Sequence, residues 1–243
     1  MCGITGFINL DKNIQNSYYI IRNMCKTLAK RGPDEEGFYF SKHGVLGHRR
    51  LSIIDIENGK QPMNFVYQGN TYVIVYNGQL YNTDELRTEL LRNGFTFKGH
   101  SDTEVLLKSY LHYGHEVCNH LNGIFGFAVW DIAKEELFIA RDMFGIKPLY
   151  YTIKNGNFIF ASEIKAILEF PECKPVLDNQ GICELFGIGP SHTPGLTPFK
   201  DILELEPAHY MIYNSNGLFK KEYWSLQTKP HTDNFDETCE KIK

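Results

Sequence analysis

The sequence predicts an α+β chain. Short apolar or alternating runs recur throughout: GITGFI at 3–8, GVLGHRRLSII at 44–54, TYVIVY at 71–76, IFGFAVWD at 124–131, ELFIARD at 136–142, LYYTI at 149–153 and NFIFAS at 157–162. Runs of that length and pattern read as strands. Segments with helical apolar spacing lie between groups of these strands, and an aromatic content of 14% favours a β-rich core.

In the first run, Ile4, Phe7 and Ile8 suggest a buried extended segment, while Gly3 and Gly6 forfeit packing in it. Residues 17–29, SYYIIRNMCKTLA, place Ile20, Ile21, Met24, Cys25 and Leu28 on one helical face. Asn82 is an expected N-cap with Glu85 three residues on, and SDTE at 101–104 predicts a capping box opening a helix through Leu111. Asn155-Gly156 between two apolar runs is a strong hairpin signal. EIKAILEF at 163–170 and a short segment near 178–186 read as helices, and GIGPSHTPGLTP at 187–198 reads as a loop or linker. Beyond it, ILELEPAHYMIYNSNGLFKKEYW predicts a further hairpin with Asn216-Gly217 as its turn. DNFDETCEKIK spaces Phe235, Cys239 and Ile242 helically and then stops, which reads either as a frayed tail or as the start of a helix leading into further chain.

A net charge of −4 with scattered Lys and Arg leaves no basic footprint for nucleic acid. No run approaches the roughly 18–20 apolar residues of a membrane span and no signal peptide opens the chain, so no membrane partner is expected and the cytoplasm is the default location. The six cysteines contain no CxxC pair and suggest neither a zinc ribbon nor a disulfide framework. His112, His115, Cys118 and His120 are the obvious metal candidates, but their spacing scatters them around a helix end, and no metal site is expected.

Four features could carry chemistry. Cys2 stands directly after the initiator, so removal of Met1 leaves a thiol beside a free α-amine. Asn77-Gly78 is a hairpin signal followed by too short a partner run. Alternatively, its side-chain amide and glycine N–H could point together at an oxyanion. Of Arg49 and Arg50 one must face inward, where a guanidinium needs an anion: a bound carboxylate, or a structural partner such as Asp55. Asp102, in the first turn of its helix, suits the macrodipole and could equally hold an ammonium.

Together, MCGITGF, RGPDEEG at 31–37, RLSIID at 50–55, YNGQLYN at 76–82, SDTEV at 101–105, NGIFGFAVWD at 122–131, ARDMFGIKPLYY at 140–151 and ASEIKAIL at 161–168 resemble the class II glutamine amidotransferases. Within that family the sequence is most similar to the glutaminase domain of glutamine-hydrolysing asparagine synthetases. The resemblance implies an N-terminal nucleophile hydrolase fold, a four-layer αββα sandwich of two antiparallel sheets. The strand and helix pattern is compatible with that fold but does not by itself select it.

The resemblance further implies an amidotransferase domain over 2–225, with 226–243 a linker and the start of a helix leading to a synthetase domain. It makes Cys2 the nucleophile, with its own α-amine as base, and Asn77 and Gly78 the oxyanion donors. Arg50 would bind the α-carboxylate of L-glutamine, Asp102 its α-amino group, and Leu51, Ser52, Ile53 and Ile54 would contribute backbone to the pocket. Gly3 and Gly6 would let other backbone approach closely.

The family commonly has glutamate where this chain has Gln79, so weaker glutamine binding is expected. No SGGxDS-type phosphate loop or Walker motif occurs, so ATP and magnesium belong to the synthetase domain and no cofactor is expected in this chain. The implied partners are L-glutamine, the C-terminal synthetase domain of the same polypeptide and, as an option, a second copy in a homodimer. Alternatives are an amidotransferase serving a different acceptor and a non-catalytic regulatory module of the same fold.

Overall fold

The computed structural model describes residues 1–52, 55, 58–189, 192–228 and 230–242. In chain order the first elements are β1 (Gly3–Asn9), α1 (Tyr18–Thr27), β2 (Glu35–Phe40), β3 (Gly44–Arg50), β4 (Met63–Tyr67) and β5 (Asn70–Leu80). Two helices follow, α2 (Thr83–Arg92) and α3 (Asp102–Tyr113), then β6 (Gly123–Asp131), β7 (Glu136–Arg141), β8 (Tyr150–Lys154) and β9 (Asn157–Ala161). The rest comprises α4 (Ile164–Leu168), α5 (Asn179–Gly187), β10 (Leu203–Glu204), β11 (His209–Asn214), β12 (Gly217–Glu222) and α6 (Phe235–Ile242).

The strands form two six-stranded antiparallel sheets, ordered β10-β8-β9-β1-β3-β2 and β12-β11-β7-β6-β5-β4. Three buried clusters make four layers of them. Ile4, Ile8, Leu46, Phe158 and Phe160 of the first sheet meet Val73, Val75, Trp130 and Ile139 of the second. The outer face of the first sheet packs Phe7, Val45 and Ile159 against Ile21, Met24 and Leu28 of the α1 region and Ile167 of α4. The outer face of the second packs Ile74, Tyr76, Phe127 and Phe138 against Leu86, Leu90, Val105 and Leu106 of α2 and α3. The segment 72–76 is continuously apolar because alternate residues enter different cores: Val73 and Val75 between the sheets, Ile74 and Tyr76 under the helices. This is the αββα sandwich that the resemblance implied.

Several local expectations shift. Asn155-Gly156 forms the two-residue turn between paired Lys154 and Asn157, both turn residues having positive φ. The last hairpin instead pairs Asn214 with Gly217, so Ser215-Asn216 is its loop and Gly217 begins the strand at φ +100. The 44–54 run ends as a strand at Arg50.

Asn82 precedes α2 without a side-chain cap bond, because its amide is committed elsewhere, accepting from Asn122 N–H and donating to the His120 carbonyl. Ser101 caps Thr103 N–H, but Glu104 completes no box: its carboxylate accepts from the Lys98 and Gly99 N–H groups and pairs with buried Lys108. A reciprocal box forms where none was expected, between Asn234 and Glu237 at the start of α6, a helix that buries none of its residues. Gly3 and Gly6 are crowded by side chains rather than backbone, with Leu28 over Gly3 and Leu46 and Phe160 over Gly6.

Cys118 is buried under the second sheet, His115 bonds Glu136 at 2.8 Å and His120 stacks on Tyr113. Among the described residues no cluster of side chains is placed to hold a metal ion, and no helix is long and apolar enough to cross a membrane.

Candidate active site

Strand parity brings the site residues together at one end of the sandwich. Cys2 shares the parity of Ile4 and Ile8, Arg50 that of Leu46, and Asn77 that of Val73 and Val75, all of which bury between the sheets. The three line one cavity of about 160 Å³ with Leu51, Tyr76, Gly78, Gln79, Asp102 and Lys147. Ser52 is not among the described lining residues and turns its N–H to Asp34 at 2.7 Å. Ile53 and Ile54 lie outside the described residues.

Cys2 is half-buried immediately before β1. Its Sγ accepts from Leu51 N–H at 3.5 Å and faces the Leu51 carbonyl at 3.8 Å, while Arg31 Nε donates to the Cys2 carbonyl at 3.0 Å. Arg31 is itself held by Glu163 at 3.1 Å. Burial pushes the thiol above its ordinary range; the Leu51 N–H, the chain's amino terminus and Arg50 oppose this, and Asp102 adds to it. Met1 lines the same cavity, its Sδ 3.8 Å from Arg31 Nη2.

Asn77 and Gly78 form no turn. They lie within β5, opposite Gly126 and Phe125 of β6, and the strand continues to Leu80. Strand β4 pairs with β5 only as far as Ile74, so the other edge of β5 is open beyond that point. On this edge Tyr76 N–H donates to Gln61 Oε1 at 2.6 Å and the Tyr76 carbonyl accepts from His48 Nε2 at 3.1 Å, while the Leu80 N–H favours the charged form of Asp102. Backbone groups of alternate residues share an edge, so Gly78, between Tyr76 and Leu80, turns its N–H the same way, toward the cavity. Asn77 Nδ2 is buried and, among the described residues, has no hydrogen-bond partner. Glycine is required at 78 by close approach: a Cβ would stand 2.3 Å from the Ile124 carbonyl oxygen and 2.9 Å from Phe125 Cα.

Arg50 and Arg49 point to opposite faces, each opposite a glutamate of β2 in register. Arg50 Nη1 pairs with Glu35 at 2.8 Å and Nη2 donates to the Asp55 backbone carbonyl at 2.7 Å. The structural partner is therefore Glu35, and Asp55 contributes its main chain because its carboxylate is taken by Asn58 and His100. Asp102, buried in the first turn of α3, accepts from Tyr76 OH at 3.0 Å. Burial pushes its carboxyl up, against the hydrogen bonds from Tyr76 OH and nearby N–H groups. Gln79 is exposed at the rim.

Sequence reasoning assigned no role to Arg31, Gln61, Tyr76 or Lys147. The available signal was a lysine set between Ile146 and Pro148-Leu149 in a stretch that otherwise reads as core.

A family model described as a glutamine amidotransferase domain matches residues 1–224. The chain is 47% identical to asparagine synthetase [glutamine-hydrolyzing] 3 of Bacillus subtilis over all 243 residues, which span 40% of that protein. It is 35% identical to amidase chry2 of Gibberella zeae over 93% of the chain and 35% of that protein. The chain thus spans less than half the length of these relatives. Among solved structures, the glutamine phosphoribosylpyrophosphate amidotransferase of B. subtilis superposes with a TM-score of 0.66 at 21% identity, over 92% of this chain and 49% of that one. This likeness shows the fold.

Proposed function

This chain belongs to the glutamine amidotransferase domain family, and on that premise we propose that it hydrolyses the side-chain amide of L-glutamine to glutamate and ammonia. The observation that carries the reading is the unpartnered Asn77 Nδ2, buried in the cavity that holds Cys2. A buried donor without an acceptor costs about 1–3 kcal/mol. A site tolerates that cost when the acceptor is an oxyanion formed only during reaction.

Removal of Met1 frees the Cys2 α-amine, which takes the thiol proton as the sulfur attacks the amide carbon. The carbonyl becomes an oxyanion between Asn77 Nδ2 and the Gly78 N–H. Collapse breaks the C–N bond, and the α-ammonium returns its proton to the departing ammonia. Water then attacks the γ-glutamyl thioester and releases glutamate and the thiol. Arg50 receives the substrate α-carboxylate and Asp102 the α-ammonium, a counter-charge that offsets the burial of its carboxylate. Thiol, amine and water complete the balance, so we propose a cofactor-free hydrolysis; activity that falls on chelation would refute that part.

The ammonia is proposed to feed an asparagine-forming synthetase domain of the same polypeptide, with the cytoplasm as its location. A homodimer is likewise a proposal, and a monomer at every concentration in sedimentation would end it. Intact mass before and after 6-diazo-5-oxo-L-norleucine tests the central reading. The expected chain lacks Met1 and gains one adduct, at Cys2. Retained Met1 or an unmodified Cys2 sinks it.

A further inference from the structure

Lys147 is 8% exposed, yet it lines the cavity of Cys2. It lies in the connection between β7 and β8, where the chain crosses from one sheet to the other, and two buried charges fasten that connection. Arg141 donates through Nε to the Lys147 carbonyl at 2.9 Å and through Nη2 to the Gly145 carbonyl at 2.7 Å, and pairs with Glu204 at 2.9 Å. The Asp142 carboxylate accepts the N–H groups of Phe125, Phe144, Ile146 and Lys147 at 2.9–3.2 Å. Both of its oxygens are thus committed to backbone. Among the described residues no hydrogen bond or ion pair reaches the Lys147 ammonium.

A long side chain that only filled space here would do so better as methionine, without the cost of a desolvated charge. We propose that Lys147 is a positioning residue of the glutaminase centre, its ammonium held in the cavity to favour the ionised form of the Cys2 thiol. The proposal rests on the reading of Cys2 as nucleophile. Burial and neighbouring Arg31 press Lys147 toward neutrality, while Asp142 and the Cys2 thiol press the other way. Coupling between two charges is reciprocal, so a thiolate that favours the ammonium is favoured by it, in addition to the stronger pull of the chain's amino terminus and Arg50 on the thiol. Among the described residues the other charged or titratable groups around the cavity are the chain's amino terminus, Arg50, Tyr76 and Asp102, and Arg31 and Asp142 also act on Lys147. Arg31 and Arg50 are engaged by Glu163 and Glu35, and Asp102 opposes the thiolate. Lys147 is a cation whose charge those carboxylates leave unneutralised.

The test is the pH dependence of Cys2 alkylation by iodoacetamide, a neutral probe that needs no glutamine pocket, read by peptide mass on the full chain. Lys147→Met should move the midpoint up by about one pH unit and slow labelling about tenfold below the wild-type midpoint, because a neighbouring cation lowers a thiol's pKa. Lys147→Arg, which keeps the charge, should hold the wild-type midpoint. Lys147→Gln replaces the methionine variant if that one does not fold. An unchanged midpoint in the uncharged variants, with Cys2 of the wild type still labelled by 6-diazo-5-oxo-L-norleucine, overturns this inference alone. An unlabelled wild type overturns the nucleophile reading and the inference with it.

Discussion

Replacing Asn77 with alanine should lower activity and raise stability together. Asn77 is 2% exposed and, among the described residues, its Nδ2 has no partner, so the folded chain carries a desolvated donor that the unfolded chain hydrates. Removing that donor recovers about 1–3 kcal/mol. The truncation enlarges the cavity that Asn77 lines, so part of this gain is lost to the added void. For a chain of this size, 1 kcal/mol corresponds to about 2–4 °C in Tm. In the reaction the same donor is worth about 2.7–4 kcal/mol, a factor of about 10² to 10³ in kcat. The assays are ammonia release at saturating glutamine and thermal unfolding monitored by circular dichroism. A variant that loses activity and Tm in parallel would show that Asn77 is structural, and a kcat within tenfold of wild type would remove it from the oxyanion site.

Gln79→Glu restores a charge at the cavity rim and should lower the KM for glutamine severalfold with kcat nearly constant; an unchanged KM removes this rationale. Arg50→Lys keeps the charge but loses the two-pronged grip on Glu35 and Asp55, so KM should rise at least tenfold, and a KM within twofold of wild type counts against a substrate role. His48 is fully buried with its pKa pushed from 6.5 down to about 4, chiefly by burial. Between those values the unfolded chain binds a proton that the folded chain refuses, so stability falls as pH drops through that window, by up to ~1.4 kcal/mol per pH unit. Urea unfolding at pH 7, 6, 5 and 4 should show a shallower loss in His48→Gln, and parallel slopes for the two proteins would contradict the assignment.

Much of the fold was legible because local signals act over a few residues. The Asn155-Gly156 turn, the helical face of Ile21, Met24 and Cys25, and the continuous apolar run at 72–76 each reflect a constraint that neighbouring residues impose on one another. Local signals failed where a side chain had a better distant partner. Asn82 and Glu104 abandon their expected caps for Asn122 and Lys98–Gly99, and Asn77-Gly78, a turn by dipeptide, is held extended by its pairing with β6.

Cys2, Asn77, Gly78, Arg50 and Asp102 could be named from the chain because their residue types and order are distinctive, and because a thiol at position two has a chemical use there. Their meeting in one cavity depends on strand parity across two sheets. The open edge of β5 depends on where β4 stops, and the orphaned Asn77 amide on what surrounds it in three dimensions. Lys147 showed in the chain only as a lysine in an apolar stretch. Its burial and the commitment of the Asp142 carboxylate to backbone N–H groups are properties of the packed whole.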